Sequence, residues 1–179
     1  MKRVVTGHNK DGKSIFVKIA EPEHIVDVPG GRWKELWATF PNCRVPVEDA
    51  SVEPTRMYKS IFPFPGETRI RIIEFDSDIP KDTHENRTVE DEGDLFQRVQ
   101  RELPGLLEHM EEGTSGMHTT DSVDYGVVLK GNMILELDDG KTVDLEAGDV
   151  IIQNGTRHAW HPQGKCTMLW VLIGVERKK

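Results

Sequence analysis

The feature that most constrains the fold is the regular interruption of the last third of the chain. From residue 116 onward, short apolar segments are separated by GN, DGK, AGD and NGTR. Glycine and asparagine favour the turns that join strands, and side chains alternate between the two faces of each strand. Strands that recur about every 8 to 12 residues are typical of all-β sandwiches and barrels. We therefore expect an all-β core in this region.

The first part of the chain is expected to add more strands to that core. Residues 2–20 have the pattern of a β-hairpin, and RWKELWATF and TRIRIIEFD are further strand candidates. Residues 41–67 contain five prolines, which predicts an irregular crossing. We expect residues 1–112 to form an N-terminal extension packed on a motif-bearing core, residues 113–179, within one structural domain.

One helix is predicted, over DLFQRVQREL. Its apolar residues recur at helical spacing, Asp94 stands where a carboxylate caps the first turn, and Pro104 ends or kinks the helix before the further turn LLEHM. We expect the helix, from about Asp94 to Met110, to cover part of the mouth of the barrel.

Charge and cysteine content narrow the class of function. With 179 residues, of which 36% are hydrophobic, the chain can bury one core. The 31 acidic against 23 basic residues give a net charge of -8, which argues against a nucleic acid or an anionic membrane and favours a small-molecule partner. Cys43 and Cys166 have no CxxC spacing, and the N-terminus lacks the apolar run of a signal peptide, so we expect a cytoplasmic protein.

The polar residues at the strand ends suggest a metal site. His118 and Thr120 in MHTT share a strand face, Asp124 opens the next strand, and His158 opens a later one after a glycine turn. Two histidines and one carboxylate on one side of a divalent ion form a facial triad that leaves positions open for substrate, water or dioxygen. We predict that His118, Asp124 and His158 bind a metal ion.

These motifs resemble those of the cupins, in particular the small single-domain cupins. The first cupin motif is matched, with its spacings kept, by His118, Thr120, Asp124 and Gly131. The second is matched by Gly148, Gln153, Gly155 and His158. The resemblance covers about residues 113–175. It implies a cupin double-stranded β-helix, a jelly-roll barrel, here with N-terminal strands and one or two short helices.

Two departures from the cupin pattern bear on the chemistry. Thr120 stands where the family has its second histidine, and Asp124 stands where it has a glutamate. A four-ligand site is thereby reduced to three protein ligands, or Thr120 contributes only weakly or through water. Either departure argues against a manganese oxalate oxidase or a quercetin dioxygenase. Gln153 replaces the family's proline, which we interpret as a tolerated change in the turn.

The resemblance implies one divalent ion, Zn, Fe, Mn or Ni, and a metal-dependent enzyme that acts on a small oxygenated carboxylate or carbonyl compound. A decarboxylase or related lyase is favoured, while an Fe(II)-dependent dioxygenase and a non-catalytic small-ligand-binding cupin stay open. Thr120 is expected to hydrogen-bond a bound water or the substrate, and His161 is the candidate for proton transfer. Tyr125 and Trp160 are expected to pack outside the barrel. We also expect a homodimer.

Overall fold

The computed structural model of the protein describes residues 1–76 and 89–178, and within α1 it describes the side chains from residue 93 onward. The described strands are β1 (Arg3–His8), β2 (Ser14–Ala20), β3 (His24–Val28), β4 (Gly31–Thr39), β5 (Thr68–Asp76), β6 (Ser122–Glu136), β7 (Thr142–Leu145), β8 (Val150–Asn154) and β9 (Ala159–Gly174). The helices are α1 (Val89–Glu102) and α2 (Leu106–His109), with short 3-10 helices at Pro54–Arg56 and Asp138–Gly140. The mostly β fold confirms the predicted fold class.

The described strands form a two-stranded hairpin sheet and a larger seven-stranded antiparallel sheet. β1 pairs with β2, as predicted, and the larger sheet runs in the order β3-β4-β5-β9-β6-β7, with β8 also paired to β6. Across the described residues no pairing joins β3 to β7, so the sheet curves around its core without closing into a barrel. Its inner face carries the apolar core, which draws on both halves of the chain, from Val26 to Leu172.

β6 is a single long strand, where the sequence predicted two strands divided by GN. The register against β9 shifts between Val128 and Asn132, and Gly131 lies at this bulge with φ 79°. The extra residue exchanges the two faces of the strand. Even-numbered residues are buried before the bulge and odd-numbered ones, Met133 and Leu135, after it.

The N-terminal strands are part of the same sheet as the C-terminal strands. β4 and β5 fall where RWKELWATF and TRIRIIEFD predicted strands, and β5 pairs along its whole length with β9. β3, between Pro22 and Pro29, was not predicted. The boundary proposed between residues 112 and 113 stays a prediction, but it does not separate two sheets.

The predicted helix is present, but its bounds differ from the prediction. α1 begins at Val89, so Asp94 lies inside the helix instead of capping it. Val99 and Leu103 are buried, whereas Phe96 on the same segment is exposed. The chain turns at Gly105, where φ is 89°, and α2 follows as a separate short helix. In the part of the chain described, no helix combines the length and apolar character needed to cross a membrane.

Candidate functional site

A cavity of about 510 Å³ lies against the inner face of the large sheet. Ligand sites in proteins commonly have this size and combine apolar walls with a few polar groups. The cavity walls are largely apolar and aromatic, formed by Val28, Trp33, Phe62, Ile73, Phe75, Leu106, Leu107, Met110, Trp160, Trp170 and Leu172. The ionisable residues in the described lining are Arg71, His118, Asp124 and His158.

The two predicted histidine ligands meet at this cavity. Their ring centroids are 4.2 Å apart, at an interplanar angle of 51°. The backbone of His118 donates to the carbonyl of His158 at 2.9 Å, and His158 donates back to His118 at 3.0 Å. This isolated bridge, instead of a regular strand at MHTT, fixes the two imidazoles side by side.

Both imidazoles are oriented by the backbone beside them. Nδ1 of His118 is 2.9 Å from the carbonyl of Gly116, and Nδ1 of His158 is 2.8 Å from the carbonyl of Thr156. A carbonyl accepts a hydrogen bond only from a protonated Nδ1, so in the neutral ring the lone pair is on Nε2. A backbone carbonyl commonly fixes metal-binding histidines in this tautomer.

Burial keeps both rings in the neutral form. It lowers the pKa of His118, and burial followed by the neighbouring His118 lowers the pKa of His158 to about 4. Neutral imidazole is the form that binds a metal ion or accepts a proton. The pair is therefore ready to act as a ligand or base at neutral pH.

Asp124 and Thr120 line the same cavity. Asp124 is 5% exposed, and its Oδ1 has no hydrogen-bond partner among the described residues. Burial raises the pKa of this carboxyl to about 6. The hydroxyl of Thr120 accepts a hydrogen bond from Ser122 at 3.0 Å, so its own proton can be donated to a molecule in the cavity.

The imidazoles of His118 and His158 and the carboxylate of Asp124 are chemically suitable ligands for a divalent ion, but the three side chains do not converge on one point. Two imidazole nitrogens and a carboxylate oxygen suit Zn, Fe, Mn or Ni, and the unpaired oxygen of Asp124 lacks the partner that a buried carboxylate normally has. Within residues 1–76 and 89–178, however, no group of three or more His, Cys, Asp or Glu has the geometry to hold a metal. The histidine pair is formed, and metal binding by His118, Asp124 and His158 stays a prediction.

Two residues that follow His158 on β9, Trp160 and His161, lie on opposite faces of the strand. Trp160 lines the cavity, with its ring 5.3 Å from that of His158, so the expectation that it packs outside was wrong. Trp160 faces the cavity because it lies two residues after His158, and residues two apart on a strand share a face. His161 lies on the opposite face, where its Nε2 is 2.6 Å from Glu136. His161 is not among the described cavity residues, and its predicted role in proton transfer stays untested.

Some cavity residues lie far from any recognisable motif. Trp33 on β4 and Arg71 on β5 contribute to the wall because β4 and β5 pair into the same sheet as β9, and Phe62 contributes from the segment before β5. Arg71 belongs to neither of the two sequence motifs. The strand register, which places Arg71 opposite Trp170, is what selects it.

Comparison with known proteins agrees with the motifs. A family model described as "Cupin domain" matches residues 106–173. The chain carries a cupin domain. Phomopsin biosynthesis cluster protein C' of Diaporthe leptostromiformis is 54% identical over 63 residues, which are 32% of this chain and 33% of that protein. Cupin-domain-containing oxidoreductase virC of Hypocrea virens is 41% identical over 64 residues, which are 33% of each.

The cupin domain thus contains the histidine pair, Thr120 and Asp124. The alignments span about a third of the length of these relatives. Among solved structures, the Clostridium difficile EutQ protein matches over 97% of both chains, at 12% identity and a TM-score of 0.43, which is too low to support an argument. Much of the cavity wall, including Trp33, Phe62 and Arg71, comes from outside the matched segment.

Proposed function

We propose that the protein is a metal-dependent cupin enzyme that oxidises a largely apolar, oxygen-bearing small molecule in the cavity. The observation that carries the proposal is the pair of buried imidazoles, 4.2 Å apart, that line an aromatic cavity together with a carboxylate oxygen of Asp124 that has no partner among the described residues. His118, His158 and Asp124 would hold the ion, and Asp124 must be ionised to do so.

The character of the substrate follows from the walls. Trp160 packs edge-on against Trp170, with their ring centroids 4.8 Å apart, and both rings face the cavity. Such walls favour a flat apolar or aromatic molecule, since they offer it dispersion contacts and exclude water. Thr120 is placed to donate a hydrogen bond to an oxygen of the substrate or to a bound water.

A bound divalent ion would act as a Lewis acid on a substrate oxygen and, if it is iron, would also permit oxidation by dioxygen. The names of virC and other matched cupin-domain-containing oxidoreductases support the oxidative reaction. Because the alignments cover about a third of each protein, this support concerns the domain and its reaction class.

The predicted decarboxylase or lyase is the second candidate. The largely apolar wall would strip water from a substrate carboxylate, and the loss of that hydration favours release of carbon dioxide. The two candidates need the same metal ligands. They differ in whether dioxygen is consumed.

The first experiment measures metal binding. Full-length protein is stripped with a chelator and titrated with Zn²⁺, Mn²⁺, Ni²⁺ or, without oxygen, Fe²⁺. We expect one ion per chain, and we expect His118→Ala and His158→Ala each to weaken binding at least about 100-fold, because each removes a ligand. His161→Ala is the matched control, since His161 lies on the opposite strand face and should leave affinity unchanged.

The second experiment separates the reactions. Iron-loaded protein is given a panel of aromatic ketones and acids while oxygen uptake and carbon dioxide release are recorded. Oxygen uptake that requires both iron and the organic compound supports the oxidoreductase. Carbon dioxide released without oxygen supports the decarboxylase instead, and wild-type affinity for metal in both His118→Ala and His158→Ala would refute the metal site altogether.

A further inference from the structure

The cavity contains one strongly basic residue that the metal site does not use. Arg71 is 2% exposed and is the only Arg or Lys in the described lining. Burial of a guanidinium is costly unless the charge is paired and its donors are satisfied. Its placement inside an aromatic cavity therefore calls for a partner.

Glu35 on β4 supplies the negative charge that pairs with Arg71. Nε of Arg71 lies 3.0 Å from Oε1 of Glu35, which is fully buried behind it and is absent from the described lining. The guanidinium also stacks over the ring of Trp33, 5.3 Å from its centroid, and Nη2 donates to the carbonyl of Ile61. These three contacts hold the guanidinium in one orientation against the cavity.

The contacts leave part of the guanidinium available. An arginine side chain has five N–H donors. Among the described residues, Ile61 accepts from Nη2, and Glu35 forms the ion pair at Nε, although neither Nε nor the Glu35 oxygens make a hydrogen bond. The N–H groups of Nη1 are therefore among the donors available to a molecule in the cavity. The ring of Trp33 lies beside the guanidinium and offers it no hydrogen-bond acceptor.

The surrounding charges decide which acceptor fits. In the metal-free protein, Glu35 already balances Arg71, and Asp124 adds a second carboxylate to the same cavity. A carboxylate on the ligand would meet two like charges in a medium of low dielectric constant, which disfavours it. An uncharged carbonyl oxygen gains the charge-assisted hydrogen bond without that repulsion.

We propose that Arg71, held by Glu35, is a specificity-determining residue that binds an uncharged carbonyl oxygen of an aromatic substrate. This inference rests on the proposed function, because it assumes that the cavity holds the substrate. It adds that the metal-free cavity binds an aromatic ketone, ester or amide in preference to a free acid.

The test uses acetophenone, ethylbenzene and benzoate, which differ mainly in the group attached to the ring. Their affinities for chelator-treated, full-length protein are measured by isothermal titration calorimetry, because a bound divalent ion would offset the charge of Asp124. We expect acetophenone to bind wild type about tenfold or more tighter than ethylbenzene, and benzoate to bind no tighter than acetophenone. The double variant Glu35→Leu and Arg71→Met should bind acetophenone and ethylbenzene equally.

The double variant is chosen because removing Arg71 alone would leave Glu35 buried and unpaired, whereas apolar replacement of both partners is often neutral for stability. Arg71→Lys, which keeps a donor, should keep part of the ketone preference. Arg32→Met is the matched control, since Arg32 pairs with Asp27 at the surface, and it should bind all three compounds as wild type does.

Each outcome bears on one proposal. A ketone preference that survives in the double variant overturns the role of Arg71, and tightest binding of benzoate to wild type overturns the preference for an uncharged group. If none of the three compounds binds, the inference fails together with the substrate class of the proposed function. The metal titration with His118→Ala and His158→Ala then still decides the metal site separately.

Discussion

At the scale of single residues, Asp124 combines burial with an incomplete set of partners. It is 5% exposed, its Oδ1 has no hydrogen bond among the described residues, and burial raises its pKa from 3.8 to about 6. A folded protein that keeps such a group without a ligand is destabilised by it whenever the group is ionised. This cost is a measurable signature of a site built to bind something.

The signature is a pH-dependent effect of Asp124→Asn. Between about pH 4 and pH 6 the unfolded chain loses the Asp124 proton while the native state retains it, so the native state binds more protons and the free energy of unfolding falls as pH rises. Because asparagine cannot ionise, the stability of D124N relative to wild type should increase by about 2 to 3 kcal/mol from pH 4 to pH 7.

The measurement is urea unfolding of chelator-treated wild type and D124N at a series of pH values. His158, whose pKa is lowered, makes stability rise with pH over part of the same range, but it is present in both proteins and cancels in the difference. A difference between the two proteins that does not change with pH would contradict the prediction.

The residues of the candidate site were largely predictable, because strand alternation and motif spacing depend on sequence neighbours. His118, Thr120, Asp124 and His158 do line one cavity. The placement of Trp160 was mistaken, although it shares strand parity with His158. Arg71 and Glu35 depend on the pairing of β4 with β5 and of β5 with β9, and such long-range register cannot be read from one sequence.

At the scale of elements, the bulge in β6 determines which side chains reach the cavity. Before it Asp124 faces inward, and after it Met133 and Leu135 do. The sequence showed a glycine-asparagine pair, which predicted a turn between two strands. A positive φ at Gly131 is compatible with a bulge as well as with a turn. The chain forms a bulge here because β9 pairs with β6 on both sides of Gly131.

Substitution of Gly131 tests this role. A Cβ at Gly131 would lie 2.1 Å from the backbone carbonyl oxygen of Lys165 on β9, in addition to the strain of φ 79°. Gly12 in the β1–β2 turn has a similar φ of 75° but open space around it, so Gly12→Ala isolates the strain alone. We expect G131A to lose at least about 2 kcal/mol more stability than G12A in chemical denaturation. Equal losses would show that the close approach of β9 is unimportant.

At the scale of the whole molecule, the cavity exists because the two parts of the chain share one sheet. Trp33 and Arg71 come from the N-terminal strands, whereas His118, Asp124 and His158 come from the cupin domain. Separation of the strands β3 to β5 from the rest would open the cavity to water and expose the apolar core between them. Stability and ligand binding should therefore be lost together on unfolding.

The outer face of the sheet supports the predicted homodimer, which the single chain does not test. Tyr125 on β6 lies opposite Ile152 on β8, and Val127 lies opposite Val150, which forms an apolar surface. Tyr125, Val150 and Ile152 are 45%, 63% and 54% exposed. A contiguous exposed apolar patch commonly marks an interface between proteins.

If the predicted homodimer forms through this surface, Ile152→Asp should convert it to a monomer, because the substitution places a charge in the middle of the surface. Sedimentation velocity at micromolar concentration measures the change. Phe16→Asp is the matched control, since Phe16 is 71% exposed on the β1–β2 hairpin, away from β6 and β8. Dissociation by F16D instead of I152D would move the interface to the hairpin. A monomeric wild-type protein at micromolar concentration would contradict the predicted homodimer.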